Sequence, residues 1–317
     1  MLCCWYYSCV FEALEWRPSG YDESARGRAA GYLESVLRAV NASWPYLARR
    51  DGRDHVLGMC RDAGRCHLPP HLQYAIRNMI ALSCMADSTS EFATCRFPGH
   101  DVVVPPSMGM PLVQSAWFWS PEHVQAQRRT LAVFRGSIHA GTIRKAVVDR
   151  LSNDSDFIVG GWVPDAQYEH ELLNSVYVIC PAQFVAWNPR VFQGMARGAI
   201  PVVVADGLEL PFEFALGSSA SVVHVPTRLV NRIPEILRGI PAHEVERRQR
   251  RVAQIWRSFF WDGEAAELVL SELAARARQL LSSQAEATVN YLGPHGHEHF
   301  MWPASIPRIH PSGIICD

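Results

Sequence analysis

Three groups of charged, glycine and amide residues lie where a short apolar run gives way to a polar turn, the position at which open α/β sheets bind anions. In Phe134-Arg135-Gly136-Ser137, Gly136 would let backbone amides approach a phosphate. Arg135 offers a planar bidentate donor for it, and Arg144 lies one or two turns into the segment that follows. The plainer reading makes Arg135 an exposed loop residue and Gly136 a turn glycine. In the second group, CPAQFVAWNPR (180–190), Asn188 suits a helix cap and Pro189 the first turn. Arg190 then falls in that turn, where a cation is unfavourable by up to about 1 kcal/mol unless an anion offsets it. The anion is either a ligand or a carboxylate of the protein. The third group is Ala205-Asp206-Gly207 with LELPFE (208–213) behind it. Asp206 and Glu209 would accept hydrogen bonds from sugar or ribose hydroxyls, unless Asp-Gly is simply a turn.

A different chemistry is offered by Arg53-Asp54-His55, where a carboxylate beside an imidazole could deprotonate an acceptor hydroxyl. A structural histidine at a strand start is the commoner case. Asp101 stands behind Asp54 and His55 as a candidate base. His295, His297 and His299 alternate in PHGHEH, but a Pro/Gly-rich tail makes a metal site there incidental. Arg247, Arg248, Arg250 and Arg251 read as a solvated helix face. Among nine cysteines no CxxC pair occurs, so no metal site is expected; Cys60 and Cys66 flank a polar segment that could close as a disulfide loop.

These residues need a scaffold. Apolar runs rich in β-branched residues at 130–134, 156–159, 176–180 and 200–205 predict parallel strands covered on both faces, separated by helices over 140–151, 165–174 and 189–197. Four strands with three intervening helices make a doubly wound α/β unit. Longer helical patterns at 243–260 and 264–281 close it. Upstream, Ala29, Tyr32, Leu33, Val36, Leu37 and Val40 predict an amphipathic helix over 24–40. Short strands are expected at 55–60 and 101–104, with a helix over 71–84. The segment 114–127 loses periodicity and reads as a connection. The division is therefore a first domain over 1–125, a second over 126–288 and an irregular tail over 289–317.

The chain has 317 residues, 48% of them hydrophobic and 19% charged, with a formal net charge of −1. Such a chain buries a sizeable core, and the balanced charge gives no support to nucleic-acid binding. No run reaches the roughly 18 apolar residues of a membrane span. The apolar opening, 1–14, has no basic residue in front of it and reads as a core strand rather than a leader, so the fold is expected to begin upstream of it. Asn41-Ala42-Ser43 and Asn153-Asp154-Ser155 are glycosylation acceptors, relevant in a secretory compartment.

The stretches LAVFRGSIHAGTIRKAVV and VYVICPAQFVAWNPRVFQGMARGAIPVVVADGLELPFE resemble the exostosin-like glycosyltransferases, family 47. ASWPYLARRDGRDHVLGMCRDAGRC and PGHDVVVPPS agree with it in the first domain. The resemblance runs from about residue 5 to about residue 281 and implies a GT-B-like fold, two Rossmann-like domains facing across a cleft, the first incomplete at its start. It implies an inverting, metal-independent transferase that moves a sugar from a nucleotide sugar, commonly a UDP-sugar, to a glycan acceptor of cell-wall or extracellular type. No cofactor beyond that co-substrate is implied. Partners would be other transferase subunits, as homo- or hetero-oligomers, and the place the Golgi lumen.

Arg135, Arg144 and Arg190 fall on matching family positions, with Gly136, Ser137, Asn188, Gln193, Asp206 and Glu209 on the donor side. Two departures stand out: Cys180-Pro181-Ala182-Gln183 replaces the family's Cys-Pro-Arg-Gly, and Gln193 stands where an acid is usual. Asn188 for Ser is milder. The lost charges favour a rival reading, a non-catalytic glycan-binding or scaffold subunit.

Overall fold

The computed structural model describes residues 23–59, 64–84, 86–88, 95–106, 128–138, 141–182 and 188–282. The segments 1–14 and 114–127, the tail with its three histidines, and Cys60 and Gln183 lie outside the described residues. The chain divides into two compact units, one made of Met1–Ser83, Cys95–Val102 and Ala275–Asp317, the other of Cys84–Thr94 and Val103–Ala274.

In the first unit, helix α1 (Glu23–Ser43) turns Ala30, Leu33 and Leu37 inward while Tyr32 faces solvent, so the buried stripe is narrower than the expected one. A short turn of helix, α2 (Tyr46–Arg49), leads to strand β1 (Val56–Met59). Helix α3 (Pro70–Ala75) precedes β2 (Ile80–Ser83), which runs parallel to β1, and β3 (Val102–Val103) completes the order β1-β2-β3. The core joins Leu33 and Leu37 to Leu57, Met59, Leu72, Ile76 and Met79.

The helix expected over 71–84 is therefore half helix and half strand. Arg65 is the reason: its guanidinium donates to the carbonyls of Ile76 and Met79, holding the intervening turn open. The same guanidinium is ion-paired to Asp101, Nη2 to Oδ1 at 2.7 Å, and the Asp101 side chain is completely buried. Asp101 also accepts from the amides of Ala81 and Phe97, each at 2.9 Å, and lies 3.2 Å from His100 Nδ1. A carboxylate so engaged is unable to reach a substrate, which removes Asp101 as a base. Cys66 is bonded to Cys95, not to Cys60; the bridge ties a 3₁₀ turn (Gly64–His67) to the segment before Asp101.

The second unit holds five parallel strands: β4 (Thr130–Arg135), β5 (Phe157–Gly160), β6 (Ser175–Pro181), β7 (Ile200–Val204) and β8 (Val223–Val225). Their order is β5-β4-β6-β7-β8. β8 is an addition to the expected four. Helices α4 (Thr142–Leu151), α5 (Asp165–Leu173) and α6 (Arg190–Met195) make the crossovers.

Every residue of β7 is buried, as continuous apolar parallel strands require. Val147 and Leu151 of α4 cluster with Phe134, Tyr177, Ile179, Val202 and Val204 on one face. On the other face α6 meets the sheet at Gly194, where a Cβ would come within 2.2 Å of Val178 Cγ1. Short α7 (Glu213–Leu216) and α8 (Ile233–Arg238) follow, then α9 (Ala242–Ile255) and α10 (Ala265–Ser282). On α9, Arg247 and Arg248 pair with Glu244, Arg250 pairs with Glu246, and Arg251 donates to the Leu216 carbonyl. No described helix is long and apolar enough to cross a membrane.

Candidate functional site

Counted from β4, the strand order is 2-1-3-4-5, so the chain reverses direction across the sheet between β4 and β6. Beyond the carboxyl ends of such a pair the two connections diverge and leave a crevice. Arg135 and Gly136 leave β4 there, and Arg190 opens the helix after β6.

Arg190 ties the two sides together. Its Nε donates to the Arg135 carbonyl at 2.7 Å, and its guanidinium lies 5.5 Å from the ring centre of Phe134 and 5.8 Å from that of Trp162. A Cβ on Gly136 would sit 2.1 Å from Arg190 Nη2, so the arginine occupies the space a side chain would take. Although the residue is only 6% exposed, its terminal nitrogens meet no carboxylate among the described residues.

Arg144, in the first turn of α4, is 5% exposed, and its Nε has no hydrogen-bond partner. Burial, with the charge of Arg190 added, lowers its pKa to about 10. Two buried guanidinium groups thus repel each other, and neither has an ion pair among the described residues. An arginine stays protonated under such pressure, so each guanidinium keeps its charge.

Arg135 differs. It is held in a bidentate pair by Glu171, Nε to Oε2 and Nη2 to Oε1 both at 2.7 Å. Burial would raise the Glu171 pKa, but the Arg135 hydrogen bonds and charge outweigh it and hold the carboxyl below its ordinary value. The guanidinium also fills the space beside Gly160, where a Cβ would lie 2.6 Å from its Nη1.

A pocket of about 150 Å³ opens here, walled by Arg135, Arg190, Gln193, Trp162, Tyr168 and Asp165 among others. Gln193 Oε1 is 3.5 Å from the Tyr168 hydroxyl, whose pKa burial pushes up. Ser137 is half-buried just past Gly136. Cys180, at the end of β6, is a buried free thiol with its pKa raised to about 12 by burial, and so is inert.

Three further candidates of the second unit do not line this pocket. Asn188 does not cap α6; Pro189 occupies that position, and neither polar atom of the buried Asn188 amide finds a partner. Asn188 and Glu209 instead line a second cavity of about 10 Å³, room for a single water. Both Asp206 oxygens accept from Thr227, one from its amide at 2.9 Å and one from its hydroxyl, which fixes the turn after β8. In the first unit, Asp54 Oδ1 lies 3.0 Å from His55 Nδ1, with both side chains about a quarter exposed. Among the described residues no group of three or more His, Cys, Asp or Glu could hold a metal ion.

Trp162 and Glu171 were not foreseen. The rule that selected β4, β6 and β7 points also to the end of β5, where Gly160-Gly161-Trp162 stands.

A family model described as the exostosin GT47 domain matches residues 3–240. The chain belongs to that family. Among curated relatives, this GT47 chain is 28% identical over 271 residues to a protein of Oryza sativa subsp. japonica named as a probable glucuronosyltransferase, covering 78% of this chain and 61% of that one. It is 25% identical over 264 residues to the probable beta-1,4-xylosyltransferase IRX10 of Arabidopsis thaliana, covering 78% and 62%. The GT47 chain thus spans about three fifths of the length of these relatives. Among solved structures, Anabaena HepE in complex with UDP and glucose aligns with a TM-score of 0.38 at 13% identity, covering 72% of this chain and 71% of that one.

Proposed function

We propose that this chain is a glycosyltransferase subunit that binds a nucleotide sugar, a UDP-sugar, at the carboxyl ends of β4 and β6 and transfers the sugar to a glycan acceptor. The observation that carries this reading is the pair Arg144 and Arg190, buried, mutually repelling and without a carboxylate partner among the described residues. A departing diphosphate supplies the missing negative charge, and two fixed guanidinium groups would neutralise it without a bound metal. Gln193 and Tyr168 stand in the same pocket to meet ribose hydroxyls.

Inversion at the sugar requires an acceptor hydroxyl to lose its proton to a base. Asp54 would orient His55 through Nδ1 and leave Nε2 to take that proton. The relatives named as a probable glucuronosyltransferase and a probable beta-1,4-xylosyltransferase support transfer of a sugar; a cell-wall or extracellular glycan as acceptor and the Golgi lumen as compartment are what the family resemblance implies.

Calorimetric titration with UDP in the absence of divalent metal is the test. Micromolar binding supports the donor site, and no binding by a folded protein sinks it. Gly136→Ala, which would drive a methyl group into Arg190 at a backbone position of φ +156°, is expected to weaken UDP binding about 10–100-fold and to lower the melting temperature as well. His55→Ala should leave UDP binding intact and lower kcat about 10²–10⁴-fold in a transfer assay.

A second reading has its own support. Arg135 is already neutralised by Glu171, and Ala182 and Gln193 stand where the family carries charge. A non-catalytic subunit that retains nucleotide binding would show UDP affinity but no transfer with any UDP-sugar.

A further inference from the structure

We propose that the Trp162 indole is the stacking surface for the nucleobase of the bound nucleotide. This rests on the donor site proposed above and specifies how it recognises the part of the ligand that carries no charge.

Trp162 is 77% exposed, yet it forms a wall of the pocket that holds Arg190. Its ring centre is 5.8 Å from the Arg190 guanidinium, whose other aromatic neighbour, Phe134, is fully buried. One aromatic partner of the arginine is thus packed away in the core, and the other is presented to solvent. Its place in the chain is bounded by Gly160, which lies against the Arg135 guanidinium, and by Pro164, which precedes α5.

An exposed indole beside a charge-bearing crevice suits a ligand that is flat and apolar at one end and anionic at the other. A nucleoside diphosphate has that form, its diphosphate on the guanidinium groups and its base across the indole face. Stacking of this kind tolerates any base, because every base has a π-face, so the base would be discriminated by the remaining walls.

The test compares UDP and inorganic pyrophosphate binding to the parent, Trp162→Ala and Trp162→Phe by calorimetry. Saturation-transfer NMR on the uracil protons accompanies each titration. Trp162→Ala is expected to weaken UDP about 10–100-fold, to leave pyrophosphate affinity unchanged and to abolish saturation transfer to the uracil ring, with Trp162→Phe restoring most of both. The melting temperature should not move, since the side chain is largely outside the core. Equal weakening of UDP and pyrophosphate would mean that Trp162 only positions Arg190, and would overturn the proposal. So would unchanged UDP affinity, or a parent that binds UDP no better than pyrophosphate. A parent that binds neither ligand overturns the donor site itself, which the pyrophosphate arm reports independently of Trp162.

Discussion

Arg190→Ala is expected to weaken UDP binding by at least about 100-fold, the largest functional effect of any single change in the second unit. Each hydrogen bond to a charged group is worth about 1.5–3 kcal/mol, and the guanidinium has terminal nitrogens left over after its Nε is used on the Arg135 carbonyl. The loss should come without loss of fold. With no carboxylate paired to it among the described residues, Arg190 acts on Arg144 as a like charge. Removing it relieves that repulsion but gives up the Arg135 hydrogen bond and the packing near Phe134, so the ligand-free variant should stay folded and melt only modestly below the parent. Calorimetry with UDP beside thermal unfolding without ligand checks both halves. A variant that binds UDP normally places the nucleotide elsewhere, and one that binds poorly because it unfolds makes Arg190 a core residue.

The largest effect on stability is expected from Asp101→Ala, about 3–5 kcal/mol, because it strands Arg65 as a buried charge. Asp101→Asn should be nearly as harmful, since it preserves shape but not charge. Burial alone would raise the Asp101 pKa from its ordinary 3.8, but the hydrogen bond from His100, the charge and hydrogen bonds of Arg65 and the Phe97 amide together hold it lower. A carboxyl with a depressed pKa contributes its full stabilisation above the ordinary value and loses it as the pH falls through the lowered one. The difference in urea stability between parent and Asp101→Ala should therefore be constant near neutrality and shrink below about pH 4. A constant difference down to strong acid would contradict the ion pair.

Much of the second unit could be read in advance, because parallel strands buried on both faces announce themselves as uninterrupted β-branched runs. The sequence runs place β4, β6 and β7 nearly to the residue, and the end-of-strand rule then selects Arg135, Arg144 and Arg190, while Gln193 follows only from the family resemblance. β8 has only three residues, the middle one an exposed histidine, and offers no such run.

In the first unit, the spacing of Leu72, Ile76 and Ile80 imitates a helix continuing past its end. What stops it is Arg65, whose partnership with the turn is invisible to any local pattern. The same limit applied to the choice of base and to the disulfide. Asp101 and Asp54 are both acids near strand starts, and only tertiary contacts show that one is sealed in the core. Cys95 lies 29 residues from its partner Cys66, while Cys60 is merely near in sequence. Glu171 escaped notice because a bidentate partner 36 residues away has no spacing to betray it.

The hydrogen bond from Arg190 to the Arg135 carbonyl joins residues 55 positions apart and crosses the point where β4 and β6 meet. It cannot exist until the chain has passed through β5 and returned to place β6 beside β4. Closing contacts of that range comes late in folding, because the chain must first give up the entropy of everything between. The binding crevice accordingly forms only after the chain has been made through β6 and the start of α6. A nascent chain would be blind to nucleotide until its sheet was built past the middle, and nucleotide binding would then mark a chain whose central strands have reached their final order.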